Sequence, residues 1–204
     1  MKGLVLLCPI VCYLIGSVNL SIVVSRALGR DVRESGSGNA GSTNMLRTFG
    51  WRVAIPVFLG DVARGALAVG IGAALFSACG EPGRFGAYLG AIAALLGHAF
   101  PVFFRFRGGK GVAVSIGAMI AIYPIPGALL LLAGFGVAAA TKYVSLGSVL
   151  GAAAFPFLAL ARGGVREFLP ALLMSALVLW LHRENIRRLR EHRENKFTPP
   201  AAKS

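Results

Sequence analysis

The sequence predicts an all-α integral membrane protein with seven transmembrane helices, an N-terminus outside the cell and a cytoplasmic C-terminus. Three observations predict it. The chain of 204 residues is 56% hydrophobic and only 14% charged, with a mean hydropathy of +0.72, whereas soluble domains are about 25% charged. Long apolar runs without a charged residue recur along the chain. Its lysines and arginines are concentrated in some of the segments between the apolar runs and are scarce in the others.

The apolar runs predict the spans. A helix needs about 20 apolar residues to cross a hydrocarbon core of about 30 Å. Four charge-free runs approach or exceed that length, and two further candidates are shorter or interrupted. The four are 3–25, 85–104, 111–141 and 143–161, and the two are 53–77 and 168–181. The first run is not interpreted as a secretory signal, because it has no clear small-residue cleavage site and apolar spans follow it.

Residues 111–141 decide the number of spans. These 31 residues would form a helix about 46 Å long, which is too long for one upright span. The motif YPIP at 123–126 lies near the middle, where proline breaks or kinks a helix, so the run is either one kinked span or two short ones. Cytoplasmic loops retain lysine and arginine. Seven spans place sixteen of the 21 basic residues inside and four outside, whereas six spans place ten on each side. Seven spans are therefore predicted, in one domain over 1–204 with a basic cytoplasmic tail at about 183–204.

The charge and the cysteines argue against several classes of function. The net charge of +13 collects on the predicted cytoplasmic face, where it favours retention of topology and contact with anionic membrane lipids. Nucleic acid is not an expected partner, because aromatic residues do not interleave with the basic ones. Cys8 and Cys12 share a helix face and are expected to pack, in preference to a disulfide or a metal site. With no metal-binding motif in the chain, we expect no metal and no cofactor, and we expect a monomer.

The first of three polar segments is SGSGNAGSTNMLR, residues 35–47. Glycine permits positive φ, so the backbone N–H groups of such a loop can converge on phosphate. Thr43 and Asn44 are predicted to cap a helix that begins at Met45, whose N-terminus would attract an anion. The guanidinium of Arg47 suits bidentate phosphate contact. A plain flexible connector is the alternative for this loop taken alone. The candidate phosphate-binding residues are Gly36, Gly38, Asn39, Gly41, Thr43 and Asn44.

The second polar segment is GHAFPVFFRFRGGKGVA, residues 97–113. Its GGKG motif at 108–111 resembles half of a phosphate loop, in which backbone amides and one lysine, Lys110, open a helix. It lacks the glycine spacing and the hydroxyl of a Walker A motif, so ATP hydrolysis is not predicted. His98 is either a hydrogen-bonded structural histidine or, as a polar residue at membrane depth, part of a site. The candidate binding residues here are Gly108, Gly109, Gly111 and His98.

The third polar segment, HRENIRRLREHRENK at 182–196, directly follows the last apolar run. His182 and Asn185 lie on one helical face at i and i+3, which a simple basic tail does not explain. Asp61 and Arg64, within the second span, have the same spacing and can neutralise each other, as charges at that depth usually must. They are interpreted as structural, with a place in the wall of the site as the alternative.

Four segments in this order resemble the bacterial acyl-phosphate:glycerol-3-phosphate acyltransferase family: GSGNAGSTNMLR, DVARGALAV, GHAFPVFFRFRGGKGVA and HRENIRRL. The resemblance covers nearly the whole chain. It implies a small polytopic enzyme of the bacterial cytoplasmic (inner) membrane, with its active site facing the cytoplasm, that starts phospholipid synthesis. The implied reaction moves a fatty acyl group from acyl phosphate to the 1-hydroxyl of glycerol 3-phosphate, which gives lysophosphatidic acid and phosphate. The residues with implied roles are Ser37, Arg47, Lys110, His182 and Asn185, with Glu194 structural.

The implied substrates account for the chemistry of these residues. Acyl phosphate is an activated mixed anhydride, so the glycerol hydroxyl can attack it directly and no acyl-enzyme is needed. Lys110, Arg47 and backbone amides would stabilise the oxyanion and the leaving phosphate. The base is either a substrate phosphate or His182, and the phosphate is preferred because no carboxylate is evident to orient His182. The alternative function is a transporter for an organic phosphate, which is disfavoured because the polar motifs lie at one face and no repeat is evident.

Overall fold

The computed structural model describes residues 3–197, with side chains from residue 5 onward, and this part of the chain contains helices and no strand. The all-α prediction is confirmed. Ten α-helices follow one another over residues 3–197, with single 3-10 turns at Val32–Glu34 and Val102–Phe104. The helices are α1 Gly3–Ser17, α2 Leu20–Ala27, α3 Ser42–Phe49, α4 Trp51–Ala78, α5 Gly83–Ala99, α6 Val112–Ile122, α7 Pro124–Thr141, α8 Val144–Gly163, α9 Val165–Leu181 and α10 Arg183–Arg190.

Five segments of the described chain are long and apolar enough to cross a membrane. α9 and α10 would form a sixth if they count as one span, although they are bent by 61° relative to each other. The 11 residues of α6 extend about 16 Å, which is short of a hydrocarbon core. Seven spans and the orientation of the termini therefore stay predictions. The five segments are Val5–Ala27, Trp51–Ala78, Gly83–Phe104, Pro124–Thr141 and Val144–Gly163.

The long run at 111–141 forms two helices and not one kinked helix. α6 ends at Ile122, Tyr123 leaves the helical region with φ −134° and ψ 82°, and α7 starts with proline, whose missing N–H costs nothing at a first helical position. Arg84 of α5 holds this break. Its guanidinium donates to the Ile122 carbonyl at 3.1 Å and lies 4.7 Å from the centre of the Tyr123 ring. An unsatisfied carbonyl at the end of α6 is thus paired by a side chain from a neighbouring helix.

The described residues form two compact units whose boundary lies between Pro124 and Ile125; a single domain stays a prediction. In the first unit α4 packs against α1, α5 and α6, and glycines allow the backbones to touch. A Cβ added at Gly65 would overlap the Val114 carbonyl of α6, and one added at Gly72 would overlap a carbonyl of α5. Helices in membranes associate through such close packing of small residues, because lipid supplies no hydrophobic force between them.

α1 completes the first unit by the same means. A Cβ at Gly97 of α5 would overlap the Tyr13 carbonyl of α1. Cys8 and Cys12 are free and fully buried in this contact, and the Cys12 thiol donates to the Ala68 carbonyl at 3.5 Å. The expectation that both cysteines pack is confirmed.

The second unit holds α7 to α10 and the segment 191–197, which folds back on the helices. Glu194 organises this return. Its carboxylate accepts hydrogen bonds from Ser145 Oγ at 2.8 Å, Asn185 Nδ2 at 2.6 Å and Arg188 Nε at 2.7 Å. Burial alone raises the pKa of Glu194, but these three hydrogen bonds and the Arg188 charge outweigh it, so the pKa of the carboxyl lies below its ordinary value. Glu194 is therefore an ionised acceptor that joins the segment 191–197 to α8 and α10.

Enlarging Gly65 should destabilise the first unit, whereas the same change at Gly70 on the same helix should not. The methyl of Gly65→Ala would meet backbone atoms of α6, while a Cβ at Gly70 has open space. We expect Gly65→Ala to lower the free energy of unfolding by about 1–3 kcal/mol and Gly70→Ala to change it by less than about 0.5 kcal/mol. Denaturation with sodium dodecyl sulfate in bicelles measures both. Equal effects would show that the α4–α6 contact is not close.

Replacing Glu194 with glutamine should change how stability depends on acid. A carboxylate with a depressed pKa adds stability that is complete above its unfolded pKa of about 4.3 and is lost as the pH falls through the lower folded value. The difference in thermal unfolding temperature between wild type and Glu194→Gln should stay constant from about pH 8 to pH 5 and shrink below about pH 4. A difference unchanged at about pH 3 would mean that ionisation of Glu194 adds no stability.

Candidate functional site

The glycine loop at 35–44 begins from a break in the first span. α1 ends at Ser17, and Asn19 caps α2 by accepting the Ile22 N–H on its Oδ1 at 3.2 Å. Its Nδ2 donates to the Ala40 carbonyl at 3.3 Å. Asn19 is fully buried, so the amide joins the break in the span to the middle of the loop. Asn19 is not among the residues predicted from the sequence, although an asparagine inside an apolar run is a visible signal.

The predicted helix cap in this loop is wrong. α3 begins at Ser42, with Gly41 as its N-cap residue and no side-chain cap, so Thr43 and Asn44 lie inside the first turn. Asn44 instead points back at the loop. Its Oδ1 accepts the Ser37 N–H at 2.9 Å, and its Nδ2 donates to the carbonyls of Val32 and Ser35 at 2.8 and 2.9 Å. Asn44 is 1% exposed, and three hydrogen bonds to the backbone of Val32, Ser35 and Ser37 satisfy its buried amide. The side chain therefore fixes the preceding segment and does not cap α3.

The backbone of the glycine loop is only partly open to a ligand. Gly36 and Gly38 have φ of 58° and 69°, as the glycine argument requires. The N–H groups of Ser37, Gly38 and Gly41 are bonded within the loop and its flanking helix, so a phosphate bound by these N–H groups would have to replace those hydrogen bonds. In the described chain no acceptor engages the N–H groups of Asn39, Ala40, Ser42 and Thr43, which remain as candidates.

The GGKG loop folds back on the end of α5. The Gly108 N–H donates to the Ala99 carbonyl at 3.1 Å, and the Gly109 N–H donates to the His98 carbonyl at 3.1 Å. Gly111 has φ 72° and is the N-cap residue of α6, which matches the expectation that the motif opens a helix. Lys110 lies between these fixed points, half-buried.

The two loops meet at Gly109. A Cβ added there would overlap the Ala40 carbonyl of the glycine loop and would lie 2.5 Å from Nε2 of His98. No side chain fits between these groups, so glycine is required by space and not by φ. The structure therefore brings Lys110 and His98 to the glycine loop, although Lys110 follows Ala40 by 70 residues and His98 follows it by 58.

Arg64 supports this meeting point from within the membrane span. It is paired with Asp61, as the sequence spacing predicted. Its Nη1 also donates to the carbonyls of Ile15 at 3.1 Å and Gly16 at 3.0 Å, and to that of Val18. Its Nη2 lies 3.5 Å from Nδ1 of His98. One guanidinium thus satisfies the carbonyls at the break in the first span and contacts the histidine under Gly109.

Ser37 and Arg47 are the other two residues of the first unit with predicted roles. Ser37 is exposed and Arg47 is half-buried in the last turn of α3. The Ser37 backbone is fixed by Asn44, so its hydroxyl is presented from an anchored residue. Ser37 lies in the glycine loop, and Arg47 lies on α3, the helix that begins at the end of this loop.

The third polar segment lies in the second unit. His182 is the residue between α9 and α10, and its Nδ1 is 2.8 Å from the Val178 carbonyl. This contact assigns the proton of the neutral ring to Nδ1 and leaves the lone pair on Nε2. Asn185 is buried, and its amide donates to the Glu194 carboxylate; the structural role of Glu194 stays a prediction. Ser145, the third donor to Glu194, was not identified from the sequence, where a serine at a helix start carries little signal.

Most of the predicted residues thus lie among hydrogen-bonded backbone and side-chain groups. Their roles in binding and catalysis stay predictions. Within residues 3–197 no group of three or more histidines, cysteines and carboxylates is placed to hold a metal ion. The described arrangement offers backbone amides, a lysine and arginines, which are groups that bind phosphate.

Known proteins share both this sequence and this fold. Residues 6–192 match the family model for glycerol-3-phosphate acyltransferase. The glycerol-3-phosphate acyltransferase of Clostridioides difficile is 43% identical over 189 residues, 92% of this chain and 93% of its own. That of Thermoanaerobacter pseudethanolicus is 41% identical over 193 residues, 94% of each chain.

Two crystal structures agree with the sequence matches. Both are of PlsY (YgiH), an integral membrane glycerol 3-phosphate acyltransferase, and both are 35% identical to this chain. The glycerol 3-phosphate form superposes with a TM-score of 0.87 over 95% of this chain and 96% of that one. The lysophosphatidic acid form gives 0.85 over 96% of each. By sequence and by fold, this chain belongs to the glycerol-3-phosphate acyltransferase family.

Proposed function

We propose that this membrane acyltransferase moves a fatty acyl group from acyl phosphate to the 1-hydroxyl of sn-glycerol 3-phosphate, and so catalyses the first acylation of phospholipid synthesis. The observation that carries the proposal is the contact at Gly109, where the glycine loop, the GGKG loop and His98 converge. Both substrates bear a phosphate, and the N–H groups of the glycine loop together with the Lys110 ammonium of the GGKG loop suit phosphate binding. The family membership supports glycerol 3-phosphate as the acceptor.

The reaction needs positioning more than a nucleophilic side chain. The glycerol hydroxyl oxygen attacks the acyl carbonyl carbon, the carbonyl electrons move to oxygen, and the collapse of this intermediate expels inorganic phosphate. The bond to the acyl carbon passes from one oxygen to another, and the hydroxyl proton leaves with the base. Because the mixed anhydride is already activated, no acyl-enzyme is required. Lys110 and Arg47 would neutralise charge on the oxyanion and the phosphates, while Ser37 and the loop amides would orient them.

The base is proposed to be a substrate phosphate, with His182 as the alternative. A phosphate oxygen reaches its own acceptor hydroxyl without help from a side chain. Because the Val178 carbonyl accepts from Nδ1, His182 carries its proton on Nδ1, and this tautomer places the basic lone pair on Nε2. A pH profile of the rate for His182→Asn distinguishes the two, because loss of an essential base removes the acidic limb of the profile.

The membrane arrangement is part of the proposal. Seven spans, an external N-terminus and a cytoplasmic C-terminus would place the three polar segments on the cytoplasmic side of the bacterial inner membrane. The supply of basic residues between the apolar runs supports that orientation. The acyl chain would lie in the bilayer beside the helices, and the chain would act as a monomer without a cofactor.

Removing the Lys110 ammonium should abolish most activity. We expect purified wild type to release phosphate from palmitoyl phosphate only with glycerol 3-phosphate present, and Lys110→Ala to be slower by about 10²–10³-fold, the usual cost of one transition-state donor. Lys142→Ala, at an exposed lysine of the second unit, is the matched control and should keep the wild-type rate. No release from any acyl phosphate, together with uptake of glycerol 3-phosphate into proteoliposomes, would replace the enzyme with a transporter.

A methyl group at Gly109 should separate the two loops. Gly109→Ala must displace both the Ala40 carbonyl and the His98 ring, and small displacements of positioned groups can lower rates about 10²-fold. We expect that loss in kcat/KM for glycerol 3-phosphate. Gly136→Ala, where a Cβ has open space, should leave kcat/KM unchanged. Wild-type activity in Gly109→Ala would mean that the contact between the loops plays no part in the reaction.

A further inference from the structure

Apart from the meeting point of the loops, the first unit contains a second basic concavity. It has a volume of about 500 Å³ and opens between residues 31–34 and 103–107. Four arginines line it, together with two carboxylates and two phenylalanines, so its formal charge is positive by two. The arginines are Arg26, Arg33, Arg105 and Arg107. None of them has a part in the proposed reaction.

Two of these arginines are already held in place. Asp31 accepts from Arg26 Nε at 3.1 Å and from Arg33 Nη2 at 2.7 Å. The Arg26 guanidinium also lies 5.5 Å from the centre of the Phe104 ring. The Arg33 hydrogen bond lowers the pKa of Asp31 well below its usual range, so this carboxylate stays charged. Because these contacts already fix the two guanidinium groups, binding an anion would cost little side-chain entropy of Arg26 and Arg33.

The other wall is a strained turn. Arg105 and Phe106 have φ of 55° and 58°, a left-handed conformation that residues with side chains adopt rarely. Arg33 Nη1 holds this turn by donating to the carbonyls of Phe104 at 3.3 Å and Arg107 at 3.1 Å. The turn presents Arg105 and Arg107 on the exposed side of the cavity. Backbone strain that neighbouring contacts maintain is common at binding sites.

The cavity lies where two candidate spans end. Arg26 is the last residue but one of Val5–Ala27, and Phe104 is the last of Gly83–Phe104. Phe103 and Phe106 beside the cavity are each 58% exposed. Arginines bordered by exposed aromatic rings at the end of a span match the head-group layer, where aromatic side chains anchor and basic side chains meet lipid phosphate.

We propose that this cavity binds the phosphate of an anionic phospholipid head group. Arg26 and Arg105 from opposite walls would contact the phosphate, and Phe103 and Phe106 would lie against the adjoining lipid. Arg33 would link the cavity to the GGKG loop, since it donates to the carbonyls of Phe104 and Arg107, the second of which directly precedes Gly108. The inference does not depend on the identity of the reaction.

The test measures lipid binding and not activity. Native mass spectrometry of the full chain in detergent follows titration with phosphatidylglycerol and with phosphatidylcholine of the same acyl chains. Wild type should bind phosphatidylglycerol about tenfold or more tightly, a difference that one or two charge-assisted contacts can supply. Arg26→Gln/Arg105→Gln should abolish this preference. The control Arg187→Gln/Arg193→Gln, which removes two exposed arginines of the second unit, should retain it.

Three outcomes overturn the proposal. The preference could survive in the Arg26→Gln/Arg105→Gln variant, or it could fall equally in both double variants, which would indicate general charge attraction. Inorganic phosphate could also displace phosphatidylglycerol from wild type at millimolar concentration, which would make the cavity a site for free anions. If the Arg26→Gln/Arg105→Gln variant does not fold, a measurement on the wild type alone still tests the proposal. Wild type crosslinked to phosphatidylglycerol with a photoreactive head group should be labelled within 26–34 and 103–107, and labelling confined to 183–197 would contradict the proposal.

Discussion

Arg64 is the group on which the rest of the site depends. The first span breaks between Ser17 and Leu20, and a break within an apolar run leaves backbone carbonyls that lipid cannot satisfy. Arg64 donates to three of them, and Asp61 balances its charge. Removing one partner of a buried ion pair costs about 3–5 kcal/mol, because the other charge remains unpaired. The broken span and the ion pair therefore require each other.

The break in the first span positions the glycine loop. Asn19 lies within it and holds Ala40, while the same arginine contacts His98, whose carbonyl holds Gly109. The glycine loop and the GGKG loop are thus both anchored to one buried polar cluster, which consists of Asn19, Arg64 and His98. Neither loop could be placed this firmly by its own residues, since short glycine-rich segments have large conformational entropy.

The packing of small residues determines how closely these elements approach. Gly65 and Gly117 bring α4 and α6 into backbone contact, and Gly72 does the same for α4 and α5. With helix axes this close, the C-terminal end of α5 and the N-terminal end of α6 can be joined by a loop that returns on itself at Gly108 and Gly109. An activated acyl donor would need no nucleophilic side chain. It would need hydrogen-bonding and cationic groups held at fixed distances from the reacting atoms. The arginine cavity beside it follows from the same geometry, because both of its walls are segments that lead into the loops.

Local patterns in the sequence determined the class of the protein and several parts of the site. Charge-free runs specify helices in lipid because each backbone group must be bonded within its own segment. The i, i+3 spacing specified the Asp61–Arg64 pair, and the glycines of GGKG specified a loop that opens a helix. These inferences held because the interactions lie within one or two helical turns.

The tertiary structure decided what depends on contacts that no regular sequence spacing predicts. A local pattern assigned Asn44 to a helix cap, but its amide satisfies the carbonyls of Val32 and Ser35 instead. The need for glycine at 109 comes from Ala40 and His98, and the environment of Asn185 comes from Glu194 with Ser145. Sequence spacing cannot reveal such contacts, because a buried polar group bonds to whichever partner the packing of the helices brings within reach.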